Sequence, residues 1–178
     1  ASGTAVGRLA LGGNSAGVTG AENVAVGNAA MYVVTSGADN VAVGALSLFD
    51  NTTGSYNTAL GSDALGNNTT ASENTAAGYS ASKNNTTGTQ NVALGHNTAT
   101  LTTTGSYNTS IGKGAMYNNT TGSSNTSVGR EALVNNTTAE NNTAVGASAG
   151  AAVTEGFQNT ILGASAGAIS TGDQNVSV

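Results

Sequence analysis

The sequence predicts an all-β chain: a parallel β-solenoid (β-roll) of about ten 17-residue coils, lying side by side with identical chains. Three observations predict it. The stretch "NTTGSYNTALGSDAL", Asn51 to Leu65, returns as "TTTGSYNTSIGKGAM", Thr102 to Met116, three periods of seventeen later. Within each period β-branched residues fall at alternate positions, as in Val24/Val26 and Thr109/Ile111, and a turn-forming Asn-Thr-Thr-Gly follows. The chain has 26 glycines and no proline, so each coil keeps the N–H groups that a stacked ladder uses. Seventeen residues are too few for a helical hairpin, and Asn, Thr and Gly are poor helix formers.

The repeat unit opens on asparagine: Asn23, Asn40, Asn57, Asn74, Asn91, Asn108, Asn125, Asn142 and Asn159. Stacked coils place residue i over residue i+17, so these side chains are expected to form a ladder of amide hydrogen bonds. The short strand follows, with a working consensus Asn-Thr-Ala-(Val/Leu)-Gly. Its closing glycine falls at Gly27, Gly44, Gly61, Gly78, Gly95, Gly112, Gly129, Gly146 and Gly163. Glycine there suits a sharp corner or a close backbone approach. Alternation along the strand puts Thr/Val with Val/Leu/Ile on one face and Ala/Ser with Gly on the other. The first face is expected to fill a small core. The second, lined with small residues, is expected to pack against identical chains, most closely at the "ASAGA" segments Ala147–Ala151 and Ala164–Ala168.

A threonine keeps the same beat at Thr35, Thr52, Thr69, Thr86, Thr103, Thr120, Thr137, Thr154 and Thr171. Six of these begin a Thr–Thr pair, a column that would suit an ice-binding surface if it lay flat. The same turns carry Asn-x-(Ser/Thr) sequons at Asn51, Asn68, Asn85, Asn119 and Asn136, candidate glycosylation sites if the turns are exposed in a secreted protein.

The whole chain, 1–178, reads as one repeat domain. Residues 1–22 form an irregular first coil with an insertion around Gly12–Gly20, since "TAVG" at Thr4–Gly7 precedes Gly27 by a 20-residue step. Residues 23–163 are regular 17-residue coils, and 164–178 a terminal partial coil after a 16-residue step from Asn159 to Asn175. A start at Ala1 and a stop at "NVSV" suggest a processed chain or a piece cut from a longer array.

Composition narrows the function classes. Charged residues are 7% of the 178, against roughly a quarter in ordinary domains, and the net charge is −5. Arg8, Lys83, Lys113 and Arg130 are the only fixed cations, too few and too dispersed for a nucleic-acid surface. No apolar run is long enough to span a bilayer, so membrane insertion is not expected. No catalytic, cofactor or metal residues are expected. An active site needs unlike groups converging at one place, whereas this motif recurs nine times in register. His96 is the only histidine, there is no cysteine, and its column holds Asn28, Ala45, Ser62, Tyr79, Lys113 and Arg130 in other repeats. Five acids, Glu22, Asp39, Glu73, Glu140 and Asp173, gather near the turn before the repeat asparagine.

The unit "NNTTGSYNTALGSDAL" is similar to the repeat of phage and phage-like tail-fibre proteins. "NVAVG" and "NTSVG" resemble the short N-S-V-A-I-G-type element in the heads of trimeric autotransporter adhesins. The likeness runs from Thr4 to Val178, although the adhesin repeat is usually shorter than seventeen and no heptad stalk accompanies this one. It implies a left-handed parallel β-roll, commonly three chains wound side by side, forming a surface stalk or adhesive head rather than an enzyme. The expected function is therefore a structural, adhesive rod segment of an extracellular, cell-surface or virion fibre. Its expected partners are copies of itself, with cell-surface glycans contacted through Tyr56, Tyr107, His96 and Tyr117. Two alternatives stand beside it: a self-assembling, glycosylated extracellular filament subunit joined end to end, and an ice-binding β-solenoid.

Overall fold

The computed structural model describes residues 2–12, 17–167 and 172–178. Each repeat contributes one short strand. In chain order these are β1 (Gly3–Val6), β2 (Asn23–Val26), β3 (Val41–Val43), β4 (Thr58–Leu60), β5 (Thr75–Ala77) and β6 (Val92–Leu94). They continue as β7 (Thr109–Ile111), β8 (Thr126–Val128), β9 (Thr143–Val145), β10 (Thr160–Leu162) and β11 (Val176–Ser177). All pair parallel in one 11-stranded sheet whose spatial order is the sequence order. The chain is thus an all-β parallel solenoid, and ten inter-strand steps of about 4.8 Å make a stack on the order of 48 Å long.

Register follows the period. Val41 pairs with Thr58, and Thr58 with Thr75. The two irregular steps are absorbed outside the strands, since Gly3 still pairs with Asn23 and Thr160 with Val176. Residues beyond the strands are tied between coils in the same way. The Leu48 N–H donates to the Ala64 carbonyl (3.0 Å), Asp50 to Gly66 (2.9 Å), Thr52 to Thr69 (2.8 Å), and Tyr56 back to Ala38 (3.1 Å). A whole coil, not merely its strand, acts as a rung.

The interior corrects the sequence reading of the strand faces. From β2 to β10 the buried strand residue, Asn23 aside, is the one between the outward pair: Ala25, Ala42, Ala59, Ala76, Ala93, Ser110, Ser127, Ala144 and Ile161 are at most 1% exposed. The flanking Thr/Val and Val/Leu/Ile residues point outward, half-buried or exposed. The reason is width. A 17-residue coil encloses so little space that only small side chains fit beneath the strand, opposite the larger Met31, Leu48, Leu65, Met116 and Leu133. Where the strand residue is large, the opposite wall shrinks. Ile161 fills the space left by Gly150 and Gly167, each of which would bring a Cβ within 3.1 Å of its Cδ1. The alanine and serine side chains of that face therefore belong to the core, while Ala147, Ala164 and Ser165 of the "ASAGA" segments are exposed. Ala168, at the end of the second "ASAGA" segment, lies outside the described residues, as does Thr171.

Interior hydroxyls are satisfied locally, which is why serine and threonine can replace alanine there. Ser127 donates to the Ala132 carbonyl (2.8 Å), Thr98 to Gly112 (2.6 Å), and Ser47 to Gly44 (2.8 Å).

The corner glycine has two separate reasons to be glycine. At Gly129 φ is +138°, and an added Cβ would lie 2.3 Å from the Gly146 carbonyl oxygen of the next coil. Gly163 has φ +118°, but its nearest atom would be the Ala166 Cβ at 3.7 Å. Backbone strain acts at both sites and collision only at the first. Gly163→Ala is expected to lower stability by about 1–2 kcal/mol through strain alone. Gly129→Ala should lower it clearly more, because the next coil must move. Thermal unfolding of the two variants checks this; equal losses would show that close approach contributes nothing.

Candidate functional site

Two columns of asparagine run through the coil interior, and they are the most concentrated polar feature of the molecule. The repeat asparagines form the first. The Asn40 Oδ1 accepts from the Asn57 backbone N–H (2.9 Å) and from Asn57 Nδ2 (3.1 Å). The Asn57 Nδ2 also donates to the Ala71 carbonyl in the following turn (2.8 Å). The next rung repeats this, with the Asn74 N–H and Nδ2 donating to Asn57 Oδ1 and Nδ2 to the Gly88 carbonyl. Asn23, Asn40, Asn57, Asn74, Asn91, Asn108, Asn125, Asn142 and Asn159 are all at most 5% exposed. From Asn40 to Asn142 each residue, through its N–H and its amide together, clamps the coil before it to the turn after it.

The second column is Asn51, Asn68, Asn85, Asn119 and Asn136, which the sequence offered as sequons on exposed turns. The structure overturns that placement: these five are at most 1% exposed. Asn68 Nδ2 donates to Asn51 Oδ1 (2.9 Å) and to the Ala71 carbonyl (3.0 Å). The Ala71 oxygen thereby receives one amide from each column, as the Gly54 oxygen does from Asn40 and Asn51. A glycan on any of these nitrogens would remove a donor and has no room in the folded coil. The clue lay in what replaces asparagine in this column: Val34 and Val153 are residues of a buried position, not of an exposed turn.

Those replacements break the second ladder. In its 17-residue beat the position after Asn85 is Thr102, and the position after Asn136 is Val153. The Asn85 Oδ1 and Asn136 Oδ1 are the buried side-chain atoms left without a partner among the described residues. No functional ligand is needed to explain them, because each is the unfinished end of a run.

Threonine supplies a third column at the surface. The Thr52 hydroxyl donates to the Thr69 carbonyl (3.0 Å), and Thr69, Thr86, Thr103 and Thr120 continue the pattern. Their hydroxyls are therefore committed to the stack. The second threonine of each pair, such as Thr53 or Thr121, is exposed at the turn. The pair does not present one flat array.

The other singled-out side chains are dispersed. His96 is exposed and stacks on Tyr79 of the preceding coil, with ring centroids 5.3 Å apart. Tyr56 and Tyr107 are 63% and 62% exposed on one column three coils apart, while Tyr117 is half-buried. Among the described residues no three His, Asp or Glu side chains come together. The ion pairs there are Lys83–Asp63 (3.1 Å) and the exposed Arg130–Glu131 (3.0 Å). Comparison with known protein families, with characterised proteins and with solved structures found no match.

The ladder geometry predicts where stability can be added. Thr102→Asn places an amide between Asn85 and Asn119 and joins the two runs. Val153→Asn supplies a donor to Asn136 Oδ1. Each is expected to raise stability by about 1 kcal/mol, with a corresponding rise in unfolding temperature. Asn57→Ala strips partners from both neighbouring coils and is expected to cost about 2–3 kcal/mol. Unfolding curves of the three variants measure the effects; a destabilised Thr102→Asn would refute the account of the broken ladder.

Proposed function

We propose that this chain is a structural, adhesive rod segment of an extracellular or virion fibre. One observation carries the reading: two interior columns of asparagine and a flanking column of threonine join coil to coil along the stack. Such an arrangement resists extension and bending along the stack. Variation falls on exposed positions such as Tyr56, Tyr107 and His96, where a fibre would contact glycans or other surface groups. Immunogold labelling with antibodies against the folded chain tests the assignment on the source cells or particles. Label running along fibres outside the cell or virion is expected, and label confined to the cell interior would overturn it.

A second reading, ice binding, keeps one supporting observation. The outward sheet face carries Thr58, Thr75, Thr109, Thr126, Thr143 and Thr160 in a single column, half-buried or exposed. A freezing-point gap in a nanolitre osmometer would promote this reading; none at millimolar protein would remove it.

A further inference from the structure

The outward face of the sheet has no covering segment among the described residues. Val43, Leu60, Ile111, Val145 and Leu162 lie on it between 36% and 42% exposed. From β2 to β10 neither outward column contains a charged residue. Its rungs are in register, and its second column, Val26 to Leu162, is wholly apolar because the interior has room only for the middle residue of each strand, while the first column holds valine or threonine. A contiguous exposed patch of this kind marks an interaction surface.

Charge gives the face a direction. Just before the strands stand Glu22, Asp39, Glu73 and Glu140, and no cation occupies that rim. Immediately after the corner glycines stand Arg8, Lys113 and Arg130, three of the four fixed cations, and no acid occupies that column. Among the described residues no ion pair joins the two rims, and Arg130 alone of these three has a partner, the neighbouring Glu131.

We infer that this face docks a second copy of the same chain, with the two rods parallel and related by a rotation axis along the stack. This rests on the rod reading above and names the surface through which rods join. A rotation about that axis brings the acidic rim of one copy to the basic rim of the other at matching height. Arg8 and Glu22 then sit one rung apart, as do Arg130 and Glu140, about 4.8 Å along the axis. The Tyr79–His96 stack meets Glu73. Antiparallel rods would set like rim against like rim. Size also fits: a patch of about 48 Å by 16 Å covers roughly 770 Å² per copy, near the 800 Å² of a standard interface.

Native mass spectrometry with dilution, and circular dichroism to confirm folding, tests the surface. The wild type is expected to give a discrete multi-chain species. Ile111→Asp on the face should weaken assembly by about tenfold or more, while Thr121→Asp at an exposed turn should not. Arg130→Glu should weaken it too, and the double swap Arg130→Glu/Glu140→Arg should restore it. The surface assignment is overturned if Ile111→Asp assembles like wild type, or if the wild type is a single chain. It is equally overturned if the double swap fails to recover what Arg130→Glu loses. A chain that runs along external fibres yet fails these tests keeps the rod reading and loses only this face.

Discussion

Translation by one repeat is the constraint on which everything else depends. Apart from a few short turn bonds, such as Asn51 N–H to the Leu48 carbonyl, a coil finds the partners for its backbone groups in the coils on either side. The Leu48 N–H needs Ala64, the Asn57 N–H needs Asn40 Oδ1, and the Thr52 hydroxyl needs Thr69. Each of these bonds exists only if the neighbouring coil has the same shape at the same height. Identity between repeats is therefore a condition of satisfying buried polar groups, not an echo of duplication alone.

That condition also holds the backbone in conformations it would otherwise avoid. Twenty-seven non-glycine residues among the described ones have positive φ, in three columns along the stack where Gly114, Gly150 and Gly167 take the place in single coils. One of these columns runs through Met31, Leu48, Leu65, Met116 and Leu133, and another through Glu22, Asp39, Tyr56, Glu73 and Gln90. A left-handed non-glycine residue costs about 1–2 kcal/mol in isolation. Alternating hydrogen bonds to the coils on either side hold them there. The stack is thus strained locally and secured collectively, so a single excised coil has no reason to keep its shape.

The same geometry decides what faces outward. With the interior filled by Ala, Ser and the Leu/Met column, the larger strand residues have no place but the surface. A chain with 7% charged residues then presents a long uncharged face bordered by acids on one side and cations on the other. Such a surface suits association more than solvation, and its polarity distinguishes parallel neighbours from antiparallel ones.

The period, the one-strand coil, the parallel stack and its length were legible in the sequence because they follow from spacing alone. The 17-residue beat of Asn23 through Asn159 and of Gly27 through Gly163 required nothing else. Face assignment was not legible. Alternation has two phases, and the ordinary expectation that Val and Leu point inward chose the wrong one; only the width of the folded coil excludes them. Burial of Asn51, Asn68, Asn85, Asn119 and Asn136 was likewise hidden, since a polar sequon reads as surface until a carbonyl such as that of Ala71 is seen accepting it. Sequence determined which residues lie above one another, because register is one-dimensional. Tertiary structure alone decided which of them lie inside, because that depends on how much space a closed coil encloses.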